Sequence, residues 1–256
     1  DMGIHHVDPA FNALSLESPE TVEATAYGDV DPDLCSRGLL VTWRFATADK
    51  RGPLTVHWYD GGLMPPTPPG IDPDDPKQRL GEDADGVLFV GERGYITCAG
   101  WSGMPRLLPL ERHRSYVRPA KTLPRVEGHH ADWLQACKGG TPACSNFGYG
   151  ARLTEFMLLG NVALRTGRRL RWDAASMRGT NAPEADRFLR QPYRSGWELP
   201  VYALHPPNGS ASSPKPGASV ARAARASTAS RRSRQPRRGR SAPSRRPTTK
   251  AAATMK

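Results

Sequence analysis

Apolar and polar positions alternate through the first part of the chain. ETVEATAYG (20–28), GLLVTWRFAT (38–47) and LTVHWYD (54–60) are rich in β-branched and aromatic residues at partial two-residue spacing, which predicts three strands. GVLFVGERGYITCAG (86–100) holds two apolar runs separated by Glu-Arg-Gly, a hairpin signal in which Gly94 can take a positive φ. Strands that follow one another without intervening helices pair mainly antiparallel. Helical spacing appears in the opening DMGIHHVDPAFNAL and again late in the chain. HHADWLQACKGG (129–140) ends on a glycine pair suited to a C-cap, and ARLTEFMLLGNVALRTG (151–167) stops at Gly167. A short strand, RLRWD (169–173), and a short helix, PEADRFLR (183–190), complete a body that closes near Leu199. The expected fold is α+β: one large, open, mainly antiparallel sheet with helices on one face. The segment 64–85, MPPTPPGIDPDDPKQRLGEDAD, is too rich in Pro and Asp for regular structure and reads as a long loop of the kind that often carries function.

Charge changes this picture only at the end of the chain. A formal net charge of +11 over 256 residues suggests a nucleic-acid binder. Residues 206–256, however, hold 13 Lys or Arg and no acid, leaving 23 basic against 25 acidic residues in 1–205, a net charge of −2. The chain therefore divides into an ordinary body, 1–205, and an Ala/Ser/Pro/Arg-rich tail, 206–256, expected to be disordered because it has almost nothing apolar to bury. Deleting that tail should leave the melting temperature nearly unchanged. No apolar run approaches the roughly 18 residues of a membrane span. No targeting stretch is expected. A soluble protein, cytoplasmic by default, is expected. Large side chains on both sides of GLLVTWRFAT and LTVHWYD predict that the sheet self-associates.

Candidate chemistry is sparse. Cys35, Cys98, Cys137 and Cys144 show no C-x-x-C pairing and read as free thiols. His5, His6, His129 and His130 with Asp1, Asp8 and Asp132 suggest a metal site, but adjacent helical residues point about 100° apart, so each pair offers one ligand at most. GYGARL (148–153) is half a dinucleotide fingerprint without its third glycine or a preceding apolar strand, and reads as a glycine hinge before a helix. HWYDGG (57–62) gathers His57, Trp58, Tyr59 and Asp60 at a strand end, a cluster suited to a carbohydrate-like ligand or equally to a half-buried Trp before a turn. Asp1 and His5, four apart on a helix, share a face on which a carboxylate can orient an imidazole for proton transfer.

DMGIHHVDPAF, HWYDGG, GVLFVGERG, PRLLP, ACKGG-PACSNFGYGARLTE, LLGNVALRTGRRLRWD, TNAPEADRFLR and YRSGWEL, in this order over residues 1 to about 199, resemble the C-terminal domain of bacterial Gfo/Idh/MocA oxidoreductases. The resemblance implies a substrate and oligomerisation domain that works beside a Rossmann domain holding NAD or NADP. In that setting Asp1 and His5 fall on the D-x-x-x-H positions that orient the substrate and act as acid/base, so the sequence starts within an active site. No Rossmann domain and no cofactor site is expected in this chain, which would be inactive alone. The substrate implied is a sugar or cyclitol, with His57, Trp58, Tyr59 and Asp60 as candidates for its wall and no metal. Partners expected are a Rossmann domain and further copies of the chain. The alternatives are a non-enzymatic carbohydrate-binding or assembly module and, third, non-specific nucleic-acid binding through the tail.

Overall fold

A computed structural model describes residues 2–28, 31, 36–46, 52–82, 85–190 and 192–198, and the backbone of 250–255. The alternating segments form one sheet from β1 (Thr21–Tyr27), β2 (Gly38–Phe45), β3 (Leu54–Tyr59), β4 (Val87–Gly91), β5 (Gly94–Cys98), β6 (Arg106–Leu108), β7 (Leu170–Asp173), β8 (Arg178–Gly179) and β9 (Lys250–Met255). Their spatial order is β6-β5-β4-β9-β3-β2-β1-β7-β8. Each neighbouring pair is antiparallel except β4 with β9. The helices are α1 (Gly3–Ala13), α2 (Leu110–Ser115), α3 (His129–Cys137), α4 (Phe147–Thr166) and α5 (Asp186–Leu189). The α+β expectation therefore holds among the described residues.

Alternation decides what each face of the sheet does. Val22, Val41, Trp43, Phe45, Leu54, Val56, Trp58 and Leu170 are buried on one face, under α1 and α4. Phe156 of α4 is the hub of that layer: its ring lies 4.6 Å from Trp43, 5.5 Å from Phe45 and 5.9 Å from Phe11 of α1, centroid to centroid. Burying each such ring contributes about 2–3 kcal/mol. A helix-interior glycine costs about 1 kcal/mol, yet Gly160 is favoured because a Cβ there would sit 3.1 Å from both Trp43 and Val41. It lets α4 approach the sheet closely.

The opposite face carries Glu23, Thr42, Arg44, Thr55, His57 and Tyr59. Thr42 stands across from His57 in the ladder and is hydrogen-bonded to its Nδ1 at 2.9 Å. Arg44 and Arg169 both pair with Glu23, at 3.1 and 2.7 Å. Large side chains stand on both faces, as expected from the sequence: Leu40 and Tyr59 face each other across the ladder on the side away from the helices, among these polar groups. In GLLVTWRFAT the apolar run hides a register in which Thr42 and Arg44 alternate outward.

The Pro- and Asp-rich loop is tied down from within the sheet. Arg106 holds the Glu82 carboxylate and the carbonyls of Arg79 and Gly81, the latter two at 2.7 and 2.9 Å. Gly81 N–H donates to Thr97 Oγ1 at 2.8 Å. By contrast, α2 and α3 bury no residue, and Tyr116, Val117, Leu123, Val126, Trp133 and Leu134 are all exposed.

The tail needs one correction. Residues 206–249 lie outside the described residues, but Lys250–Met255 is a strand between β3 and β4, so the expected disorder does not extend over all of 206–256. This stretch, KAAATM, lacks the Pro, Ser and Arg that, with Ala, make up most of the tail. Its backbone can therefore pair on both sides. Among residues 192–198, taken by themselves, Arg194 covers the Trp197 ring at 5.1 Å. No helix among the described residues is long and apolar enough to cross a membrane.

Candidate functional site

Helix α1 splits its two histidines between two environments. His6 is fully buried, whereas His5 is exposed and lies against the Trp101 ring, centroids 4.3 Å apart and planes tilted by 34°. Trp101 is 65% exposed, an unusual position for an indole. Its backbone is left-handed, φ 61° and ψ 18°, as is that of Ser102 with φ 62°. Each such residue costs of order 1–3 kcal/mol unless its surroundings impose the conformation. Here Ala99 N–H donates to Gly103 O at 2.9 Å and Gly100 N–H to Asp85 Oδ1 at 3.0 Å, closing the turn on both sides.

His5 and Trp101 form one wall of an open cleft of about 360 Å³. Asp8, Ser102, Ser145 and Tyr149 supply its polar groups, and Ile4 and Leu153 its apolar floor. The Tyr149 hydroxyl donates to Asp8 Oδ1. Burial, that bond and the Asp8 charge push the phenol up to about 12, so Tyr149 is a donor throughout the neutral range. The ring of Tyr149 is held from behind by Phe11, 5.6 Å away edge to face. Gly150 lines the same cleft, and a Cβ there would meet no atom within 4 Å. The arrangement offers a flat aromatic surface, an accessible imidazole, a carboxylate and hydroxyls, the chemistry that recognises a polyhydroxylated ring.

The residues expected from the sequence are only partly brought together. Asp1 lies outside the described residues, so its partnership with His5 has no geometry. His5 is at the cleft. Trp58 is buried on the helix side with its ring 5.9 Å from His6, while His57 and Tyr59 point to the opposite face, 6.0 Å from one another. One strand cannot present three consecutive side chains to one wall. Asp60 accepts from Gly61 N–H in the turn after β3. Burial first, and the Arg44 charge next, hold His57 below its ordinary 6.5. His129 and His130 lie on exposed α3 with rings 4.0 Å apart, and among the described residues no three His, Cys, Asp or Glu side chains cluster as a metal site would need.

Trp101, Asp85 and Tyr149 were not singled out for the site by spacing, and Asp8 only as a metal-ligand candidate. Trp101 and Asp85 come from a turn and a loop end, where no periodicity points to a face. Tyr149 was visible only as the middle of the glycine hinge, which in the structure is the first turn of α4, capped by Asn146 accepting from Tyr149 N–H. Comparison with protein-family models, with curated proteins and with solved structures gives no match.

Proposed function

We propose that the cleft between α1 and α4 binds a sugar or cyclitol and that His5 exchanges the proton of a substrate hydroxyl, as the substrate side of an oxidoreductase acting on CH–OH groups. The observation that carries this reading is the exposed Trp101 held in left-handed backbone against an exposed His5, beside the Asp8–Tyr149 pair. A sugar ring stacks on the indole with an apolar C–H face, and its hydroxyl edge then meets His5, Asp8 and the two serines. When such an alcohol becomes a carbonyl, a general base takes the hydroxyl proton; His5 is the cleft's accessible base.

The NAD or NADP that the family resemblance implies does not fit the described residues. A dinucleotide cradle needs glycines before a helix that follows an apolar strand, whereas Gly148 and Gly150 lie inside α4. These residues accordingly serve the substrate, and a nicotinamide would be held by polypeptide outside them.

Titration of the full chain with glucose and with inositol, followed by tryptophan fluorescence, tests the reading. A saturable change is expected with at least one of them. It should weaken about tenfold or more in Trp101→Ala, since stacking on one ring is worth about 1–3 kcal/mol. A flat wild-type titration with both compounds, or one that Trp101→Ala leaves unaltered, overturns it.

A further inference from the structure

Beneath the cleft lies a contact that neither the resemblance nor the proposed chemistry uses. His6 Nδ1 is 3.0 Å from the Met2 carbonyl. Because a carbonyl only accepts, Nδ1 must carry hydrogen. The other ring nitrogen, Nε2, is buried and 3.4 Å from Asp85 Oδ2, yet makes no hydrogen bond. Two acceptors facing one another repel, and the His6 nitrogen is buried beyond the reach of water that could bridge them. A second proton placed between Nε2 and Oδ2 turns that repulsion into a charge-assisted bond. Asp85 already accepts from Gly100 N–H through its other oxygen. Gly100 is the residue before Trp101, and a Cβ there would lie 2.7 Å from His6 Nε2 and 2.9 Å from both Asp85 oxygens. Only glycine lets the three groups meet.

We propose that Asp85 is a positioning residue: it shares one proton with His6 and, through Gly100, latches the left-handed turn that sets Trp101 over His5. The benefit to ligand binding rests on the reading of the cleft given above; the latch itself does not. Titratable groups on the neighbouring elements do not replace it. Glu82, across a backbone bridge from Asp85, is ion-paired with Arg79 and Arg106. Burial pushes the Cys98 thiol up, keeping it neutral. His5 and Asp8, on α1, belong to the cleft.

Three variants of the full chain separate the possibilities. Asp85→Asn can accept from Gly100 N–H and donate to an unprotonated His6 Nε2, so it closes the latch without the shared proton. Asp85→Ala and Gly100→Ala open it by different routes. The Trp101 ring resonances, assigned against Trp101→Phe, report stacking on His5 without any ligand. In the wild type and in Asp85→Asn they are expected to show the His5-induced shift, and in both alanine variants to lose it, while nitrogen-15 shifts of the His6 ring should show hydrogen at both nitrogens in the wild type and at Nδ1 only in Asp85→Asn. A wild-type His6 ring with hydrogen at Nδ1 only, or wild-type Trp101 resonances without a His5-induced shift, overturns the proposal even if neither alanine variant folds. If the cleft binds sugar, Asp85→Ala should weaken it by about the factor by which the stacked population falls, on the order of tenfold, and Asp85→Asn by less than about twofold. Failure of all sugar binding with the resonances behaving as stated removes the proposed function and leaves the latch standing.

Discussion

At the scale of single residues, the two adjacent histidines of α1 show how little a motif says without burial. His5 keeps its edge in water, while His6 is enclosed by Met2, Trp58, Gly100 and Asp85. Replacing His6 is therefore a structural event as well as a chemical one. His57, across the sheet, gives the clearest pH dependence. Its imidazole is held below its ordinary 6.5 by burial and by Arg44. Between the folded and unfolded values the unfolded chain binds more protons, so stability rises with pH through that window and is lost as pH falls from about 6.5 through the depressed value. Chemical denaturation at stepped pH should show this decline, and His57→Gln should flatten it. An equal slope in both proteins removes His57 as its source.

At the scale of elements, β9 yields the test that reverses a sequence expectation. The tail's composition predicts that it can be removed without effect, whereas the sheet places Lys250–Met255 between β3 and β4, pairing with both. Deleting 246–256 uncovers the facing ladders of β3 and β4. A fall in melting temperature of several degrees is expected, since roughly 1 kcal/mol corresponds to about 2–4 °C in a body of this size; an unchanged melting curve returns the strand to the tail. The longer elements were legible because their residues agree with their environment. Val22, Val41 and Val56 are β-branched and face the core, and the hairpin turns between Gly91 and Gly94 as Glu-Arg-Gly suggests. Helix α4 begins at Phe147 rather than 151 because the Asn146 cap and the contact of Tyr149 with Phe11 outweigh the glycines in its first turn. β6 has three residues, too few for any period, and β9 vanished into an average over fifty residues. The site was half legible: His5 belongs to a helix readable in advance, but its companions reach it from a turn, a loop end and another helix, through contacts that no local pattern encodes.

At the scale of the whole molecule, the helix-side core is dense around Phe156, and the opposite face of the sheet mixes Glu23, Arg44 and His57 with Leu40 and Tyr59. The segment from α2 through α3 stands apart from both, because neither helix buries a residue and the chain between them leaves Tyr116, Val117, Leu123 and Val126 exposed. Without tertiary packing, a six- or nine-residue helix is marginal in water. Among the described residues this stretch is consequently the weakest cooperative unit, opening and reclosing while α4 and β1–β3 remain shut. Its amides should exchange with deuterium within seconds, and within 1–205 brief trypsin treatment should cut first at Arg118, Lys121 or Arg125, long before the aromatic core releases a fragment. Protection there comparable to that of α4 would instead mean that a surface is being covered. Whatever ligand or partner quiets that exchange would identify itself by doing so.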